Sequence, residues 1–265
     1  MRNPLISVII PCYNGADFLP RCLDSVASQR EEGVHVELLF IDGGSTDESM
    51  DIAVSYGDRI DVKVREPDDG PAAAINKGLR LARGDMLAWL NADDYYYPGA
   101  LRRVVEAFAE RSEEALGFGR CTIVDEQDAE IRRGITRFKE AFFPLSSRFT
   151  IQSINYISQP AMFFRRSAMD RAGLLREDLK AAWDYEFILR LWRQGGGFHV
   201  KGPPLAAFRW HEGSISGQHF RQQFKEEYEV AVADAGHVSL QALLHWGVRW
   251  GIVGSYSFMA SMRQR

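Results

Sequence analysis

Cysteine is scarce in this chain. The three present, Cys12, Cys22 and Cys121, are odd in number, far apart and set mostly in apolar stretches, which argues against a disulfide framework or a close-spaced zinc knuckle. They fit reduced thiols in a cytosolic compartment. An excess of one charge is missing too: 32 Lys and Arg stand against 36 Asp and Glu, with the basic residues scattered, so no field favours a nucleic-acid partner. No uninterrupted apolar run reaches the ~18 residues of a spanning helix. The nearest stretch, residues 240–259, is broken by His245, Arg249 and three glycines. Arg2 is the one basic residue before the run Leu5 to Ile10, which ends at Pro11, is too short for a signal sequence and reads as a first strand. Gly117-Phe118-Gly119 lacks the third glycine and the strand-to-helix setting of a dinucleotide fingerprint.

What is present is an ordinary globular composition, 46% hydrophobic and 26% charged over 265 residues, enough for one large domain or two small ones. Strand-length apolar runs at Leu5 to Ile10, Val36 to Ile41, Ile60 to Val64 and Asp85 to Leu90 alternate with helical stripes. Pro71, Ala74, Ile75, Gly78, Leu79 and Ala82 follow helix spacing with proline in the first turn, and Leu101, Val104, Val105 and Phe108 repeat the pattern after Pro98. This alternation predicts βαβ units and a parallel sheet. The second half is more irregular. Residues 115–124 and 130–138 read as a hairpin around Asp125-Glu126-Gln127-Asp128, Ser158 to Arg165 as a strand, Asp184 to Arg193 as a helix, and Leu205 to Trp210 as a last strand.

Ligands of open parallel sheets bind beyond the carboxyl ends of the strands, and polar residues gather there. The four ends carry Pro11, Tyr13 and Asn14; Asp42-Gly43-Gly44-Ser45-Thr46-Asp47; Glu66-Pro67-Asp68-Asp69-Gly70; and Asn91-Ala92-Asp93-Asp94. Each has a plainer reading: Ser45 or Asp47 as a helix cap, Asp68-Asp69-Gly70 as a turn. Together they predict a cleft whose carboxylates suit a hard divalent cation bridging to phosphate oxygens.

Val8 to Asn14, Ile41 to Asp47, Ala74 to Gly78 and Ala88 to Asp94 resemble, in order and spacing, family 2 glycosyltransferases of the GT-A fold. The resemblance covers about residues 5–215. It implies an α/β, Rossmann-like nucleotide-binding sandwich with a mixed central sheet. A single GT-A domain would span 1–215, with a nucleotide-sugar half at about 1–115 and an acceptor half at 116–215. Residues 216–265 would be a helical C-terminal extension.

By that resemblance Pro11, Tyr13 and Asn14 form the base pocket, and Asp42 lies in an Asp-Asp-Gly-Ser-like loop in which Gly43 replaces the second carboxylate. Asp69 and Gly70 approach the nucleotide. Asp93 and Asp94 bind Mn²⁺ or Mg²⁺, while Asn91 is restricted to hydrogen bonding the nucleotide sugar or the loop. Asp184 is similar to the general base, although a first-turn carboxylate also suits a helix dipole. Gln159-Pro160-Ala161 lines the acceptor site, and Arg209 or His211 reaches the diphosphate.

The implied activity is inverting transfer from a nucleotide-diphosphate sugar to a hydroxyl of a glycan or lipid-linked acceptor, in bacterial cell-surface polysaccharide synthesis. A non-catalytic nucleotide-sugar-binding module is the alternative. A nucleotidyltransferase is weakened by the lack of Lys or Arg between Pro11 and Asp17. Leu243, Trp246 and Trp250 share a helical face near Arg249, Arg263 and Arg265, so the extension either meets a membrane surface at the inner face of the cell or packs on the domain or a second subunit.

Overall fold

The computed structural model describes residues 4–214, 220–248 and 250. The first apolar run forms β1 (Ile6–Cys12), buried along its whole length. It pairs in parallel with β2 (Val36–Asp42) on one side and β4 (Met86–Trp89) on the other, while β3 (Val62–Arg65) extends the sheet beyond β2. The order reverses between β1 and β4, which makes the crevice at their carboxyl ends the topological switch point. Beyond β4 lie β9 (Met162–Arg165), antiparallel to its neighbours, then β6 (Leu116–Phe118) and β10 (Gly197–His199). The seven-stranded sheet is therefore mixed, as the GT-A resemblance implies.

Side chains alternate across the central strands and feed two cores. Ile9, Leu39, Leu87 and Trp89 pack with α3 (Pro71–Leu81) and α8 (Trp183–Trp192) on one face. Val8, Ile10, Phe40 and Ala88 pack with α1 (Leu19–Glu31) and α4 (Ala100–Ala109) on the other. The glycine in the α3 stripe has a steric cause: a Cβ on Gly78 would stand 2.4 Å from Ile9 Cγ2, so α3 can lie this close to β1 only without one.

A smaller sheet, ordered β5-β11-β7-β8, closes the far side of the crevice. It is built from β5 (Tyr95–Tyr96), β7 (Cys121–Val124), β8 (Glu130–Ile131) and β11 (Ala206–Arg209). The hairpin around Asp125 to Asp128 is present as β7 and β8, but residues 130–138 are not one strand. Arg132 turns the chain at φ 52°, and Arg133–Glu140 forms α5. Ile135, Phe138 and Phe142 recur at helical spacing, which the strand reading passed over. The strand expected over 158–165 begins only at Met162, after a 3-10 turn at Gln159–Ala161. Pro160 has no N–H to give a ladder.

After residue 219 the chain returns to the main body. α9 (Phe220–Ala235) buries Val230 and Ala231 in the core that holds α8, and residues 240–248 form a further helix. Leu243, Trp246 and Trp250 are exposed there, whereas Arg249, Arg263 and Arg265 fall outside the described residues.

Candidate functional site

A cleft of about 1610 Å³ opens over the carboxyl ends of the central strands. Pro11, Tyr13, Asn14, Gly70, Asn91, Asp93, Gln159, Pro160, Asp184 and His211 all line it, so ten of the residues given a role by the family resemblance share one cavity. Asp42, Asp69, Asp94 and Arg209 do not face it, and each departure has a local cause.

Asp42 is fully buried and turned onto its own loop, accepting hydrogen bonds from the Gly44 and Ser45 N–H groups. Asn14, in the left-handed region at φ 51°, braces the same loop by accepting from Thr46 N at 2.8 Å and donating its own N–H to Ser45 Oγ at 2.8 Å. Asp47 accepts from Ser49 N at the start of α2 (Ser49–Ser55) and from Ala16 N, which fits the capping reading. Asp69 is exposed, and its neighbour Asp68 lines the cleft instead. The Asp68 carboxylate fills the room beside Gly43, where a Cβ would come within 2.7 Å of Asp68 Oδ2. A side chain at position 43 would displace it.

Just beyond β4, Asn91 to Asp94 form a turn closed by Asp94 N donating to Asn91 O at 3.0 Å. Two adjacent carboxylates are thereby sent opposite ways. Asp93 faces the cleft, and Asp94 is fully buried with its oxygens accepting from Arg209 N at 2.9 Å and Asn91 Nδ2 at 3.3 Å. Burial first, and the Asp93 charge second, push the Asp94 carboxyl well above its ordinary range. The expectation that both carboxylates hold a cation is corrected accordingly: Asp94 is spent on the fold. Asn91 braces the loop, with Nδ2 also 3.4 Å from Gln159 Oε1.

Arg209 is corrected as well. It is 2% exposed, and its guanidinium donates to Asp93 O at 3.0 Å, Asp125 O at 2.7 Å and Asp128 Oδ1 at 2.5 Å. The Phe18 ring covers it at 4.7 Å. These partners hold it behind the site rather than toward a diphosphate.

His211 lies two residues further along and reaches the cleft, with Nε2 3.0 Å from Asp93 Oδ2. That carboxylate hydrogen bond holds its imidazole above the ordinary value. Among the described residues no group of three or more His, Cys, Asp or Glu is placed to hold a metal, so Asp93 and His211 stand as a pair. One oxygen and one nitrogen donor at the cleft wall fit a cation that completes its shell with ligand oxygens and water.

Asp184 lines the same cavity, in the first turn of α8. Its half-buried carboxylate accepts from Tyr185 N at 2.7 Å, and burial raises it from 3.8 to about 6. The helix start is fixed from two sides. Trp183 packs on Trp89 at 5.9 Å, tying α8 to the end of β4. Ala182 has no capping side chain, and Glu226 of α9 supplies one in its place, accepting from the N–H groups of Lys180, Ala181 and Ala182 at 2.8–3.2 Å. Lys139, Asn155 and Glu227 also line the cleft and were not singled out by sequence reasoning. No local pattern marks them, because they come from separate elements that only the fold brings together.

Residues 7–173 match the family model described as glycosyl transferase family 2. A PGL/p-HBAD biosynthesis glycosyltransferase of Mycobacterium tuberculosis is 32% identical over 194 residues, covering 70% of this chain and 69% of the relative. An uncharacterized glycosyltransferase of Rickettsia felis is 28% identical over 200 residues, and the match spans 72% of this chain but only 32% of that protein. Among solved structures, residues 1–349 of S. aureus TarS in complex with UDP-GlcNAc superpose with a TM-score of 0.68 at 17% identity, covering 91% of this chain and 69% of that one. The mannosyltransferase PcManGT of Pyrobaculum calidifontis, in complex with GDP-Man and Mn²⁺, gives 0.64 at 17% identity, covering 100% and 81%. At such identities the structural likeness establishes the fold.

Arg209→Met is expected to lower folding stability by roughly 2–3 kcal/mol, since it strips charged donors from buried acceptors. Urea unfolding checks this, and an unchanged midpoint would remove the bracing role.

Proposed function

The chain belongs to glycosyl transferase family 2, and from that premise we propose that it transfers a sugar, with inversion, from a nucleotide-diphosphate sugar to a hydroxyl of a glycan or lipid-linked acceptor. The observation that carries this reading is that Asp184 lines one cleft with the Asp93–His211 pair. A base and a diphosphate-binding wall on opposite sides of a sugar are what a single displacement requires. Asp184 takes the proton of the acceptor hydroxyl as that oxygen bonds to the anomeric carbon, and the bond from that carbon to the diphosphate oxygen breaks with its electron pair. Attack from the face opposite the leaving group inverts the centre. A carboxylate raised to about 6 is ionised near neutral pH yet a stronger base than an exposed one, which suits it to this step.

Asp93 and His211 would hold Mn²⁺ or Mg²⁺, which when bound offsets the charge developing on the leaving diphosphate. The metal seen beside GDP-Man in PcManGT supports this. Pro11, Tyr13, Asn14 and Gly70 would hold the nucleotide, and Asp68 joins them in place of Asp69 and Asp42. A non-catalytic binding module is the weaker reading, because a desolvated carboxylate kept in the cleft has a chemical use and a stability cost.

We assign the activity to bacterial cell-surface polysaccharide synthesis in the cytoplasm. No helix of the described residues is long and apolar enough to cross a membrane. The exposed face with Leu243 at 64% and Trp246 at 49% would instead rest on the inner membrane surface, where a lipid-linked acceptor is presented.

Asp184→Asn should leave the thermal shift produced by UDP-GlcNAc or GDP-Man intact while lowering turnover on the order of 10²–10⁴-fold. Wild-type turnover should fall as pH drops through about 6, where Asp184 gains its proton. The folded-state value is raised, so Asp184 withdraws stability as pH rises through that value. The Asn variant should therefore melt higher than wild type at pH 8, with the gain vanishing below about pH 4; no gain at pH 8 would contradict the burial argument. Chelation should stop transfer and added Mn²⁺ or Mg²⁺ restore it, and full activity in chelator would remove the metal role. Leu243→Ser with Trp246→Ser should abolish cosedimentation with anionic phospholipid vesicles; unchanged cosedimentation would clear this face of that role.

A further inference from the structure

The acceptor end of the cleft contains a second buried carboxylate that the transfer chemistry does not use. Glu227, on α9, is 4% exposed and lines the same cavity as Asp184. Its Oε1 accepts from Asn155 Nδ2 at 3.1 Å and Gln223 Nε2 at 3.1 Å. Oε2 has no hydrogen-bond partner among the described residues, and neither has the buried Asn155 Oδ1. Burial, then the nearby Asp184 charge, raise Glu227 to about 7. A packing role for α9 does not require this arrangement, because Glu226 on the preceding residue already ties α9 to α8. A buried amide oxygen left unpaired beside a desolvated carboxylate is costly unless a ligand completes the pair.

We propose that Glu227, held by Asn155 and Gln223, forms a subsite for a sugar acceptor, in which it hydrogen-bonds a hydroxyl neighbouring the one that faces Asp184. The inference rests on the glycosyltransferase reading and narrows the acceptor to a compound with adjacent hydroxyls. Phe138, Trp183 and Phe224 line the cavity and give apolar surface for the face of a sugar ring. A lone hydroxyl on an apolar chain would satisfy Asp184 and leave Glu227 unpaired. The subsite depends on α9, which lies beyond the 7–173 span that matches the family model.

The test uses the full chain and two separate readouts. Thermal shift with UDP-GlcNAc and GDP-Man reports the donor side. Saturation-transfer NMR with the methyl glycosides of glucose, galactose, mannose and rhamnose, and with cyclohexanol as a single-hydroxyl control, reports the acceptor side. At least one glycoside should bind wild-type protein and cyclohexanol should not. Glu227→Ala should weaken that glycoside at least ~10-fold, as loss of a hydrogen bond to an ionisable group does, with the donor shift unchanged. Should Glu227→Ala fail to fold, Glu227→Gln, which keeps the shape, is read the same way and should weaken binding less. The subsite is overturned if wild-type protein binds none of the glycosides, if cyclohexanol binds as well as they do, or if the folded variant binds them as tightly as wild type. Absence of any donor shift in wild type would count against the donor reading alone.

Discussion

One guanidinium holds the cleft wall together. Arg209 stands at the end of β11, more than a hundred residues along the chain from the turn it braces, and binds that turn through both its backbone and its side chain. Its other donors reach the β7–β8 hairpin. A cation this buried is tolerable only with every contact in place, which makes the arrangement all-or-none. Because Arg209 fixes the path of the chain, His211 arrives opposite Asp93, and Asp94 becomes a backbone acceptor instead of a ligand. The acidic pair reads as one motif in sequence and serves as two parts in space.

That division marks the limit of what the sequence discloses. Strand-length runs, helical stripes and polar strand ends are local signals, and they located the parallel strands and the strand ends that line the cleft. The direction of a side chain within a turn is set by closure of the turn, as between Asn91 and Asp94, so two neighbouring carboxylates could not be told apart. Asp68 and Asp69 posed the same difficulty, resolved by the space beside Gly43. In the second half, α5 was masked by its short length and by the strand preceding it. Glu227 and Asn155 had no pattern to betray them, since their relation exists only once α9 lies against the cleft.

Environment then assigns work to chemically equal groups. Asp42 and Asp94 are fully buried and held by backbone N–H groups, with the Asn91 amide as a further donor to Asp94, and they build loops. Asp93 keeps one oxygen on His211 at the cavity wall. Asp184 and Glu227 are desolvated with few donors, so their protons are held near neutrality. The proposed cleft chemistry rests on the carboxylates the fold leaves least satisfied.

The cap that Glu226 places on the start of α8 has a consequence in time. Synthesis runs from the first residue to the last, and the strands of both sheets leave the ribosome before residue 226 does. During that interval the sheets have all their strands while the N–H groups before Asp184 still lack their acceptor. A nascent chain therefore has the strands of its cleft floor first and orders the turn carrying Asp184 last, so in a prematurely ended chain that turn would be left loose.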